Sequence, residues 1–196
     1  MSQHTKLFIR KVFFFCALTT MLPTPSCAQG ELHFDVDYHY NLGLSEHSMG
    51  ASYKRDEYKM GGHSLRFATR YAFSPTWSAG IGIGLDRYTQ PDYNTLPIYA
   101  TARYAPISTI PNSYIFVDLG YTIKTGEFIP GLTGTWGVGY TMKITHKLKA
   151  NFQIGYNLKQ FEDIPVQIYN PANEAVCIGK ETCTRHSISF GVGLTF

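Results

Sequence analysis

The chain has 196 residues, of which charged residues make up 16% and aromatic residues 15%, with a formal charge of +3. Soluble domains usually carry about a quarter charged residues, so this surface is not built mainly to face water. All three excess positive charges lie at the start of the chain, in Lys6, Arg10 and Lys11, which excludes a nucleic-acid-binding face built on bulk positive charge.

Those three basic residues precede an apolar run from Val12 to Leu22, followed by Ser26-Cys27-Ala28. A basic segment, a short apolar segment and small residues at both recognition positions predict a signal peptide over 1–28, cleaved before Gln29. The run is too short to span a bilayer as a helix. A single domain is expected over 29–196, with fourteen basic and fourteen acidic residues. Two cysteines remain in it, Cys177 and Cys183, and an oxidising compartment predicts a local disulfide between them.

Eight segments alternate between apolar and polar residues, a period that buries one face only in a β-strand. The first runs Leu32, Phe34, Val36, Tyr38, Tyr40, Leu42 and Leu44 against His33, Asp35, Asp37, His39, Asn41 and Gly43. The next five are expected at about 62–73, 77–88, 96–104, 114–124 and 132–144. The seventh, at 148–158, sets Leu148, Phe152, Ile154, Tyr156 and Leu158 against Lys149, Asn151, Gln153, Gly155 and Asn157. The last sets Ile188, Phe190, Val192, Leu194 and Phe196 against Arg185, Ser187, Ser189, Gly191 and Gly193.

Connections alternate too. Those at 45–61, 89–95, 125–131 and 159–183 belong to one side, and those at 74–76, 105–113 and 145–147 to the other. Phe34, Phe73, Trp77, Tyr104 and Phe196 fall near the short-turn ends, and Tyr40, Tyr121, Trp136 and Tyr156 toward the long-loop ends. Two aromatic girdles at the faces of a membrane would have this spacing. A polar face rich in Gly, Ser and Thr, against a large aromatic-laden apolar face, predicts an all-β, eight-stranded antiparallel up-and-down transmembrane barrel with its apolar face on lipid.

A signal segment, eight strands, alternating loop lengths and a terminal aromatic resemble the small eight-stranded outer-membrane proteins typified by the OmpA transmembrane domain and OmpX. The resemblance covers the whole of 29–196 but is architectural, and only the last strand is motif-like. It implies an outer-membrane location, contact with lipid and lipopolysaccharide, and recognition by the barrel-assembly machinery with Phe196 as the assembly signal.

An eight-stranded barrel is just wide enough for its own side chains to fill. Asp35, Asp37, Arg66, Arg70, Arg103, Asp118 and Arg185 all fall on the inward face and are expected to pair as a buried charge network. The ladder His33, Asp35, Asp37, His39 has neighbours about 7 Å apart, too far for a compact metal site from one strand. No metal or cofactor is expected.

The chain is read as non-enzymatic, with a structural role or an extracellular partner held by loops 45–61 and 159–183. The alternatives are a narrow pore and, third, a lipid A-modifying acyl hydrolase or transferase. For the last, His47-Ser48, His63-Ser64 and His186-Ser187 are the pairs available. At His63-Ser64 and His186-Ser187 neighbours on a strand point to opposite faces and cannot readily share a proton; His47-Ser48, expected in a loop, escapes that objection, yet nothing around it matches the deacylase pattern.

Overall fold

The computed structural model describes residues 30–48, 50–106, 110, 112–169 and 175–196, with side chains left undescribed at 167–169 and 175–178. The expected signal peptide lies outside them. The strands are β1 (Glu31–Ser48), β2 (Ala51–Lys54), β3 (Gly61–Ala72), β4 (Trp77–Thr89), β5 (Tyr93–Thr95), β6 (Pro97–Tyr104), β7 (Ser113–Thr122), β8 (Gly131–Lys143), β9 (Lys149–Tyr169) and β10 (Ala175–Thr195). Every strand pairing is antiparallel, and the ring β1-β3-β4-β6-β7-β8-β9-β10 closes where β10 returns to β1.

Eight staves therefore make the barrel. β5 is the outer end of the fourth stave, set off from β6 at Leu96, and β2 folds back only on β1 as the tip of the first hairpin. The seam is fixed at its turn-side end by reciprocal backbone bonds, Phe34 N–H to Phe196 O at 3.2 Å and Phe196 N–H to Phe34 O at 2.9 Å. A sheet closed in this way has no free edge, so every stave satisfies its backbone groups without water.

The alternation determines which face is which. Leu32, Phe34, Tyr38, Phe67, Ile81, Leu119, Val138, Ile154, Phe190 and Val192 are exposed on the outside, Ile81 at 70%. The buried set is polar or charged almost throughout. This inverts a soluble core, and an outer surface of large apolar side chains is matched only by hydrocarbon. Inward glycines make room for large neighbours inside. A Cβ on Gly191 would lie 2.7 Å from the His39 ring, and one on Gly193 would collide with the Asp37 carboxylate.

Two expected loops are mostly strand. The segment 45–61 carries the end of β1 and all of β2. In 159–183, β9 and β10 continue as a hairpin that leaves only 170–174 between them. The alternation is hidden there by irregularities in register. Phe161 and Ile164 on β9 face Cys183 and Glu181 on β10, so β9 carries one extra residue, with Asp163 at φ 61°. An inserted residue reverses the faces of everything beyond it, and the continuing pattern drops out of phase.

The expected Cys177–Cys183 disulfide does not fit this hairpin. Both residues lie on β10, six positions apart, and an extended strand holds such residues about 20 Å apart. A disulfide needs Cα atoms within about 7 Å. Cys183 is a buried free thiol donating to Ser48 Oγ at 3.0 Å, while the Cys177 side chain lies outside those described. Alkylation of the denatured protein without reductant is expected to label Cys183; protection that only a reductant removes would restore the disulfide.

Candidate functional site

The chemistry of the barrel is concentrated in its lumen, where ionised side chains from different staves meet in four tiers. Each is placed by the inward phase of its strand; Arg103–Asp37, Arg66–Asp118 and Lys159–Asp86 cross between distant staves, whereas Arg70–Asp35 and Arg185–Glu46 link hydrogen-bonded neighbours.

In the tier nearest the short turns, Arg70 of β3 grips Asp35 of β1 with two nitrogens, Nη2 to Oδ1 at 3.0 Å and Nε to Oδ2. Arg103 of β6 reaches Asp35 at 3.5 Å and Asp37 at 3.3 Å, and lies over the Tyr114 ring at 4.8 Å. Thr195 of β10 donates to Asp35 as well, and Arg70 Nη1 donates to Ser78 of β4 at 2.7 Å. Two carboxylates against two guanidiniums leave this tier without net charge.

The second tier joins Arg66 of β3 to Asp118 of β7 at 2.9 Å. Arg66 also donates to Thr135 of β8 at 3.1 Å, and Asn157 of β9 shares that hydroxyl at 2.8 Å. In the third, Lys159 of β9 crosses to Asp86 of β4 at 3.3 Å and to Thr122 of β7 at 2.9 Å, and Thr95 of β5 donates to Asp86 at 3.0 Å.

The fourth tier covers the hairpin-side mouth. Arg185, with no exposed surface, pairs with Glu46 at 2.6 Å. It also donates to the carbonyls of Gly61, Thr89 and Gln90 at 3.3, 3.2 and 2.9 Å. Its guanidinium lies 5.5 Å from both the Tyr88 and Phe161 rings, which pack edge-on to each other at 5.1 Å. A bolt of this kind joins β1, β3, β4 and β10 and fills the lumen at that level.

All seven charged residues expected in the lumen are thus placed in ion pairs. Three further charged residues of the lumen were not in that set: Glu46, the partner of Arg185, and the pair Asp86 and Lys159. Glu46 faces inward because the β1–β10 register shifts between Gly43 and Ser45. Asp86 lies on the polar face Ser78-Gly80-Gly82-Gly84-Asp86 of the third alternating segment, and Lys159 continues the face Lys149-Asn151-Gln153-Gly155-Asn157 by one step.

Two recesses lie at the ends of the lumen. At the turn side, a cavity of about 200 Å³ is floored by Arg70 and Arg103 and rimmed by Lys143 and Lys149. At the hairpin side, a pocket of about 390 Å³ lies beside the Arg185 bolt, with Tyr53, Tyr58, Met60, Tyr93 and Ile164 as its apolar wall and Glu46, Ser48 and Gln90 as its polar part. Outside the barrel, beyond the level of the girdles, Lys124 and Lys180 both pair with Asp163 and hold its carboxyl below the ordinary value.

The expected girdle residues lie on the outer surface. Trp77 stacks on Tyr104 at 4.3 Å, Trp136 tilts against Tyr156 at 5.0 Å, and the Tyr40 ring lies 5.3 Å from His63. Tyr121 donates to Glu162 at 2.6 Å. Phe34 and Phe196 are exposed beside the seam, and Phe73 opens the first short turn, half-buried. The His-Ser pairs on β3 and β10 are split by the barrel wall: Ser64 and Ser187 are buried inward, whereas His63 and His186 face out toward Tyr38 and Tyr156. His47 is exposed, and Ser48 is occupied by Cys183.

No family model and no curated protein matches the chain. Among solved structures it is similar to the outer membrane protein AlkL, at 14% identity over 89% of this chain and 95% of that one, TM-score 0.48. It is similar to the outer membrane protein OprG from Pseudomonas aeruginosa at 15% identity, covering 84% of this chain and 94% of that one, TM-score 0.44. It is also similar to Neisserial surface protein A, at 14% identity over 84% of this chain and 99% of that one, TM-score 0.42.

Proposed function

We propose that this chain is an integral outer-membrane barrel with a lumen closed by its own ion pairs, acting at its hairpin-side end as a structural or interaction protein. One observation carries the reading: the Arg185–Glu46 bolt, whose guanidinium bonds four groups from β1, β3, β4 and the following loop across the mouth. An ion passing that level would have to break a buried, multiply bonded pair. A side-chain-filled lumen is also what eight staves accommodate.

The interaction surface is the pocket beside the bolt. Its wall of three tyrosines, a methionine and an isoleucine around a few polar groups has the composition of a small-ligand site, and its volume lies within the usual range. The pocket is assembled from the first hairpin, the loop before β5 and the β9 extension, so it exists only when the barrel is closed.

Planar-bilayer recording tests the closed lumen. The folded protein is expected to give no steady current, and so is Arg185→Ala, whose three remaining tiers still fill the lumen. Steady conductance in the unaltered protein would overturn the reading in favour of a narrow pore.

A further inference from the structure

One outward-facing row departs from the apolar surface around it. His63 on β3 stands directly opposite Arg87 on β4, Arg87 directly opposite Asn94 on β5, and Tyr40 on β1 directly opposite His63. Side chains directly opposite one another on a sheet face have Cβ atoms about 5 Å apart. The adjoining row toward the short turns is Tyr38, Leu65 and Leu85, the last two fully apolar. A polar row therefore meets an apolar one at a sharp line, the profile of a headgroup boundary.

On the outward side of the described staves Glu162 is bonded by Tyr121 and Lys180 pairs with Asp163, whereas Arg87 is a permanent charge left without a partner among the described residues. It is exposed and has neither an ion pair nor a hydrogen bond there. Asp86 beside it in sequence faces the lumen and is engaged by Lys159, and Asp92 on the next loop makes no ion pair. A guanidinium on the lipid side of a barrel is costly unless an anion meets it, and no ion pair among the described residues supplies one.

The groups around Arg87 complete a recognition site. The Tyr38 hydroxyl lies 2.6 Å from His63 Nδ1. If the hydroxyl donates, His63 is left with its Nε2–H free as a second donor. A hollow of about 270 Å³ is lined by Tyr38, His63, Arg87 and Asn94, with Leu65 and Leu85 toward the hydrocarbon. Guanidinium matches phosphate with two parallel bonds, the Asn94 amide and the tyrosine suit sugar hydroxyls, and the two leucines suit an acyl chain.

We infer that the His63–Arg87–Asn94 row binds the phosphate of a phosphorylated glycolipid in the outer leaflet, at the end of the barrel with the longer hairpins. The inference rests on the outer-membrane reading, and its test separates the two.

The protein is refolded into phosphatidylcholine vesicles and its heat-modifiable migration recorded; failure to insert would sink the barrel reading itself. Inserted protein is then taken into micelles and titrated by native mass spectrometry with lipid A, with its dephosphorylated form, with phosphatidylglycerol and with inorganic phosphate. Lipid A is expected to bind tightest. Arg87→Gln is expected to weaken it about tenfold, equivalent to about 1.4 kcal/mol, leaving the dephosphorylated form and the melting temperature unchanged. His63→Gln is expected to weaken it less.

Equal binding of phosphorylated and dephosphorylated lipid, or no effect of Arg87→Gln, would overturn the site. Equal and equally Arg87-dependent binding of phosphatidylglycerol would overturn the glycolipid assignment, and displacement by inorganic phosphate alone would mark a free-anion site.

Discussion

Arg185→Ala is expected to lower the stability of the folded barrel by about 3–5 kcal/mol, the usual result of stranding one member of a buried pair. The loss has two sources. Glu46, 6% exposed, keeps its charge with no counter-ion. The carbonyls of Gly61, Thr89 and Gln90 lose their side-chain donor at the same time, which adds the cost of polar groups left unmade. Urea unfolding in micelles, followed by the heat-modifiable gel shift, measures it. Arg185→Lys keeps a charge for Glu46 but cannot reach four acceptors with a planar fork, so it should recover part of the loss and not all. If Arg185→Ala unfolds at the urea concentration of the parent protein, the bolt is not a stabilising element.

The second large effect belongs to the Lys159–Asp86 tier and has a different form. Both side chains are fully buried, and their other bonds go to Thr122 and Thr95. Lys159→Met alone leaves buried Asp86 with only the Thr95 hydroxyl, and Asp86→Leu alone strands Lys159. Each is expected to lose about 3–5 kcal/mol. The double substitution removes both charges together and replaces them with apolar groups of similar size. It should come back to within about 1 kcal/mol of the parent, or exceed it, because the pair's own desolvation cost disappears. A double-mutant cycle reads the coupling directly. Additive losses would show that the two residues are stabilised separately and that the tier is not a pair.

Most of this barrel can be read from the order of residues, and the places where it cannot share one cause. Period-two alternation identifies eight staves because a barrel wall has only two faces, lipid and lumen, and each demands a different chemistry at every second residue. Arg66, Arg70, Arg103 and Asp118 could be assigned inward for that reason. Glu46 could not, since the irregularity between Gly43 and Ser45 reverses the face after the last alternating leucine. The β9 extension fails in the same way at Asp163, which is why 159–183 looks like a loop carrying two nearby cysteines and is instead a hairpin that keeps them apart. The pairing of tiers is a different matter. Which inward cation meets which inward anion depends on the register and stagger between staves, neighbouring for Arg70–Asp35 and Arg185–Glu46 and distant for Arg66–Asp118 and Lys159–Asp86, and alternation along one strand contains no information about that.

The seam between β1 and β10 has a consequence for how the molecule can form. Thr195 bonds Asp35 across 160 positions of sequence, and Arg185 bonds Glu46 across 139. Both lie in the one joint that is absent until the last stave is in place. An arc of seven staves would therefore present two raw edges and leave the bolt and the Asp35 tier incomplete together, so partial rings have little to hold them. Contacts between residues so distant in the chain are slow to find, and closure makes assembly close to all-or-none. The lumen chemistry that seals the finished barrel is also what rewards completing the ring.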